Sequence, residues 1–197
     1  DHKKGRGKRS AQYGLTPYPE LPLERVEIDH TRSDLMVIDD RDDLPLGRMT
    51  LTYCLDTATR YPLGYYLGFE PPSYLTVMEC LHHAIRPKED VRQQYGTEHE
   101  WLAFGLPATL VIDNGREFIG HDLEDACLLL GIVLQYTPVR TPQFKAGVER
   151  MFGSLNTMFF HTLPGTTFSN PEMRGDYASA GQTCVYLSEV DRLLNLF

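Results

Sequence analysis

The 197 residues, 42% of them hydrophobic and 23% charged, suffice for one domain with a substantial core. The longest uninterrupted apolar run, "CLLLGIVL", falls far short of the roughly 20 residues that cross a bilayer, so no membrane span is expected and cytoplasmic residence is the default. A net charge of −8 sits awkwardly with a nucleic-acid partner, whose phosphates usually meet a basic face.

Residues 1–20 begin with a basic run, "DHKKGRGKRS", and continue polar and proline-bearing, which predicts an extended arm or linker. No apolar segment follows the basic run, so it does not make a secretory signal. The core opens with "ERVEIDHTRSDLMVID", where Val26 and Ile28 alternate with polar neighbours; the pattern predicts a strand ending at Asp29, a turn, and a second strand. "RDDLPLG" supplies a turn, and "RMTLTYCLDTATRYPLGYYLGF" two further strands split at "TATRYP", giving a meander of long antiparallel strands.

After "EPPS" the period changes. Leu75, Val77, Met78, Leu81 and Ile85 recur at helical spacing, and the helix must end before Pro87. "RPKEDVRQQYGTEHEW" reads as a loop or short helix, "ATLVID" as a buried strand, and "HDLEDACLLLG" as a helix stopped by Gly131. A strand, "IVLQYT", a proline-bearing loop, "PVRTPQF", and a helix from about Lys145 to Phe160 complete the series. This order places one central mixed sheet between helices. Cys54, Cys80, Cys127 and Cys184 form no C-x-x-C and are expected to be reduced thiols. His82 and His83, adjacent on a helix, point about 100° apart and cannot grip one metal; both are expected at the surface.

Three carboxylates fall at related places: Asp29 and Asp113 where strands end, and Glu149 on the last helix, with 35 residues between the second and third. Carboxylates held together repel unless a cation is shared between them. Mg²⁺ is a hard, oxygen-seeking ion, and a pair of such ions about 3.5 to 4 Å apart suits in-line phosphoryl displacement. In "DNG", Gly115 permits a close turn after the strand and Asn114 tolerates it.

The segments "LERVEIDHT", "LVIDNGREF" and "GVERMFGSLNTMFFHTLPGTTFSN" resemble, in order and spacing, the catalytic cores of the DDE transposase and retroviral integrase superfamily. They look most like the TnsB-type transposases, with phage Mu transposase a more distant relative. The resemblance implies an α/β, ribonuclease H-like fold, with a central five-stranded mixed sheet flanked by helices. The core would occupy residues 21–163, and residues 164–197 would extend toward a further domain. By the same resemblance Asp29 would bridge two Mg²⁺ ions, with Mn²⁺ able to substitute, while Asp113 holds one ion and Glu149 the other. Asp56 would be structural. Glu117 in "DNGREF" reads first as a surface acid at a helix start, with assistance from behind the ligands as the alternative. Lys145, one turn before Glu149, is a candidate for a DNA phosphate contact, as are Arg140 and Arg150.

The implied activity is cleavage at transposon 3′ ends and transfer of the exposed 3′-hydroxyl into target DNA. Implied partners are transposon-end and target DNA, further copies in a multimer on DNA, an ATPase target selector and an endonuclease, within a bacterial nucleoid. The acidic balance fits that picture if metal ions neutralise the site and the main DNA-reading modules lie outside the core. A nuclease that never joins, or an inactive scaffold domain, is the alternative.

Overall fold

A computed structural model describes residues 18–113, 121–137, 146–168 and 183–197, with the single positions 172 and 181. The apolar alternation of the first half forms three strands, β1 (Arg25–Ile38), β2 (Pro45–Asp56) and β3 (Pro62–Gly68). After them come α1 (Tyr74–Ile85), α2 (Val91–Tyr95), β4 (Thr109–Ile112), α3 (His121–Leu130), β5 (Val133–Tyr136), α4 (Ala146–Ser154) and α5 (Leu187–Leu196). The strands lie side by side in the order β3-β2-β1-β4-β5. β1 to β3 are antiparallel, whereas β4 and β5 join in parallel, so the five-stranded mixed sheet flanked by helices is present.

Both expected strands between residues 25 and 39 prove to be one long strand, β1, with a register shift against β2 between Arg32 and Met36. Ser33 and Asp34 look like turn residues, yet both are buried. Arg48 across the sheet donates from Nε to the Ser33 carbonyl at 2.6 Å and from Nη2 to Asp34 Oδ1 at 2.7 Å. His161 sits 3.0 Å from Asp34 Oδ2. These distant partners offset the cost of burying polar groups, and the strand continues. Asp29 is therefore inside β1 rather than at its end.

Alternation divides the core into two layers. Val26, Ile28, Leu110 and Ile112 face α1 and α3, meeting Val77, Leu81 and Leu123. On the other side Leu51, Tyr53 and Leu55 meet Val148 and Phe152 of α4, Leu155 just beyond it, and Val190 and Leu194 of α5. The positions 148, 152 and 155 recur at the helical repeat, which is why α4 lies along the sheet with one face buried.

Helix α1 starts at a reciprocal cap between Ser73 and Thr76, and α3 stops at Gly131, whose φ of +72° suits glycine. The helix expected to reach Phe160 changes winding on the way, passing into a π-helical turn (Leu155–Phe159) and a 3₁₀ turn (Phe160–Thr162). His82 is exposed as expected, but His83 is half-buried with Nδ1 against the backbone of Tyr65. All four cysteines are free thiols.

β4 pairs with β1 only over Arg25–Glu27. Further along, the same edge of β1 is covered by the chain returning after α4: Met36 N donates to Gly165 O and Ile38 N to Val185 O, each at 3.1 Å, and Leu35 bridges Thr166. Residues 183–197, part of the expected 164–197 extension, pack on the same core through Val185, Val190 and Leu194.

Candidate active site

The parallel pairing of β1 with β4 sets Arg25 against Thr109, Val26 against Leu110 and Glu27 against Val111. Carried two residues further, this register opposes Asp29 to Asp113, the residue that follows β4. Side chains at opposed positions of neighbouring strands share a face. Since Val26 and Ile28 point to the α1 and α3 layer, Asp29 is on the α4 side, and Asp113 with it. Asp29, inside β1, and Asp113, just past the end of the neighbouring β4, therefore fall at the same level on one face of the sheet.

Asp113 is exposed and is steadied from β5. Thr137 Oγ1 donates to Asp113 Oδ1 at 3.0 Å, while the Thr137 N–H donates to the Ile112 carbonyl at 2.9 Å. Thr137, itself buried, thus continues the β4–β5 ladder and orients the carboxylate beside it. Sequence reasoning missed this residue, because nothing local marks a threonine whose partner is 24 positions away.

Glu149 is exposed in the first turn of α4. Its neighbour Val148 is fully buried, and Phe152, on the next turn, packs edge-on against Tyr53 with ring centroids 6.3 Å apart. Tyr53 is the cross-strand partner of Asp29 on β2. The first two turns of α4 consequently cross the sheet at the level of Asp29, with Glu149 on the solvent side of that crossing. Among the described residues no three His, Cys, Asp or Glu side chains gather closely enough to hold a metal ion. The acids share one end of the fold without forming a closed cage.

As donors, three carboxylates fit a hard divalent cation that retains waters and completes its shell with substrate oxygens. Asp56 has a different environment. It is 1% exposed, and its oxygens accept bonds from Leu23 N (2.9 Å), Thr59 N (2.8 Å) and Thr59 Oγ1 (2.6 Å), so it ties the β2–β3 turn to the start of the core. Arg150 is exposed on α4. Glu117, Arg140, Lys145, Asn114 and Gly115 lie outside the described residues.

The family model described as the TnsB C-terminal domain matches residues 27–165. The chain is 32% identical over 148 residues to the transposon Tn7 transposition protein TnsB of Escherichia coli, covering 73% of this chain and 21% of that protein. It is 29% identical over 149 residues to the transposase for transposon Tn552 of Staphylococcus aureus, covering 76% of this chain and 29% of that protein. The chain therefore spans less than a third of either curated relative. Among solved structures, the cryoEM structure of the simian T-cell lymphotropic virus intasome in complex with PP2A regulatory subunit B56 gamma aligns with a TM-score of 0.52 at 18% identity, covering 74% of this chain and 43% of that one. That likeness is one of fold, and the fold is ribonuclease H-like.

Proposed function

The chain belongs to the TnsB C-terminal domain family, and from that premise we propose that it is the catalytic core of a DNA transposase. The observation that carries the reading is the β1–β4 register, which opposes Asp29 to Asp113 on the face crossed by the helix of Glu149. In this reading Asp29, Asp113 and Glu149 are the carboxylates that hold two Mg²⁺ ions, or Mn²⁺ in their place, once DNA is bound. Such a metal pair supplies charge neutralisation for both attacking and departing oxygens of a phosphodiester.

Two reactions use the site in turn. In the first, a water oxygen bonds to phosphorus at the transposon end as the bond to the flanking strand breaks, which leaves a 3′-hydroxyl. In the second, that hydroxyl oxygen bonds to a target phosphorus, and the target strand's own 3′-oxygen departs. The chain's part is orientation: Thr137 fixes the Asp113 carboxylate, the β1–β4 pairing fixes its distance from Asp29, and α4 brings Glu149. Arg150, Arg140 and Lys145 are the proposed phosphate contacts.

Transposon-end and target DNA, other copies of the chain assembled on DNA, an ATPase that selects the target and an endonuclease are the proposed partners, in the bacterial nucleoid. The family resemblance supports these partners. The test is Glu149→Gln in the full-length protein, which keeps shape and removes charge. End cleavage and joining of a pre-cut end should both be lost with Mg²⁺ and with Mn²⁺, while folding and DNA binding persist. Near wild-type rates would remove Glu149 from the site.

A further inference from the structure

Two residues before Asp29, and on the same face of β1, stands a second acid that the mechanism above does not use. Glu27 is 4% exposed. Burial holds its pKa above the ordinary carboxylate value, and Arg60, the backbone N–H of Val148, the Thr57 hydroxyl and Arg25 offset only part of that rise. Thr57 Oγ1 donates to Oε1 at 3.3 Å, whereas Oε2 makes no hydrogen bond among the described residues; the Val148 N–H is near enough to favour the charged carboxylate. Val148 is the third residue of α4, so the first turn of that helix rests on the Glu27 carboxylate. Unpaired N–H groups and the helix dipole both favour an anion at that place.

A second contact holds the same turn. A Cβ placed on Gly147 would run into Arg60 Nη1 and stand 3.2 Å from Glu27 Oε2, so the guanidinium fills the space a side chain would need. Arg60 is itself held from outside. Its guanidinium carbon lies 5.5 Å from the centre of the Tyr18 ring, and the Tyr18 hydroxyl donates to the Thr57 carbonyl at 2.5 Å. Its backbone, at φ +62°, closes the β2–β3 turn through Arg60 N to Asp56 O at 3.0 Å. Carboxylate below and guanidinium beside thus flank the backbone at Gly147 and Val148, immediately before Glu149.

We propose that Glu27 and Arg60 are positioning residues that clamp the first turn of α4 and so set where Glu149 stands relative to Asp29 and Asp113. The consequence for catalysis rests on the reading of Glu149 as a metal-holding acid; the clamp itself does not. Tyr18 ties the chain that enters the core to this clamp, so the segment upstream of the core bears on the catalytic helix through Arg60.

The test uses the full-length protein and two independent readouts: hydrogen exchange of the α4 amides, and joining of a pre-cut end. Glu27→Gln should speed exchange over residues 147–152 at least tenfold, leave β2 and β3 unchanged, and lower the joining rate at least tenfold. Arg60→Ala, at an exposed turn, should act in the same direction without threatening the fold, and Arg60→Lys should restore part of the loss. Gly147→Ala separates the clamp from simple helix propensity. Alanine favours helix, so a helix held by its own propensity would exchange more slowly; a methyl that evicts the guanidinium makes it exchange faster.

Exchange within twofold of wild type in both Glu27→Gln and Arg60→Ala overturns the clamp, and so does slower exchange in Gly147→Ala. Lost joining with unchanged exchange also overturns it, because Glu27 would then act on substrate or metal. A Glu149→Gln variant that still joins, beside a Glu27→Gln variant with a loosened α4, would leave the clamp standing and remove the catalytic reading.

Discussion

Replacing Thr137 by Val tests whether Asp113 is held for catalysis. The substitution keeps a β-branched shape at a buried position and the backbone bond from Thr137 N to Ile112 O, and deletes only the hydroxyl that donates to Asp113 Oδ1 at 3.0 Å. Hydrogen bonds to charged groups contribute about 1.5–3 kcal/mol. Asp113 is exposed, so water replaces part of the lost bond, and about 1–2 kcal/mol is the reasonable share. At about 1.4 kcal/mol per decade, the joining rate should fall roughly 5- to 30-fold. The assay is strand transfer of a pre-cut end by the full-length variant, with far-UV circular dichroism and the melting temperature checking that the fold persists. Thr137→Ser keeps the donor and should join within a few-fold of wild type. If a folded Thr137→Val joins within twofold of wild type, or if the serine variant is as impaired as the valine one, Asp113 does not depend on this hydroxyl and the argument fails.

Two further expectations concern stability. Asp56→Ala removes the acceptor of three hydrogen bonds at a buried turn and should cost about 2–4 kcal/mol in urea denaturation; a loss below about 1 kcal/mol would contradict its structural assignment. Burial lowers the Lys88 ammonium, which caps the end of α1 through the Arg86 and Ala103 carbonyls, to about 8. Between that value and the ordinary 10.5 the unfolded chain binds more protons than the folded one, so the Lys88 contribution should rise with pH across this window. The stability of wild type relative to Lys88→Met, followed by denaturation from about pH 8 to 10, should therefore increase; a flat or falling difference refutes the assignment.

What could be read beforehand depended on whether the cause was local. The start of α1 after "EPPS", the Gly131 stop of α3 and the strand opening at Val26 and Ile28 are properties of neighbouring residues, and each lies where its pattern predicts. The continuity of β1 through Ser33 and Asp34 was not legible, because the groups that satisfy them belong to Arg48 and to His161, 127 residues from Asp34. The candidate site divides the same way. Asp29, Asp113 and Glu149 stood out by type and spacing, whereas their mutual placement is a matter of strand register and helix docking. Thr137 and Glu27 were missed for this reason. A buried glutamate two residues from an acid in an alternating strand marks the same face, and that was the one signal available in "ERVEIDHT".

The covering of β1 beyond Glu27 bears on how the protein can be cut for study. A fragment ending at residue 163 would lose Gly165, Thr166 and Val185, the groups that occupy the backbone of Leu35, Met36 and Ile38, together with the apolar face of α5. What remains is an open strand edge beside uncovered hydrophobic side chains, which is a template for pairing between molecules. Such a fragment should express as aggregate, and one carried through Phe197 should stay dispersed, so the residues after α4 act as the molecule's own guard against edge-to-edge association.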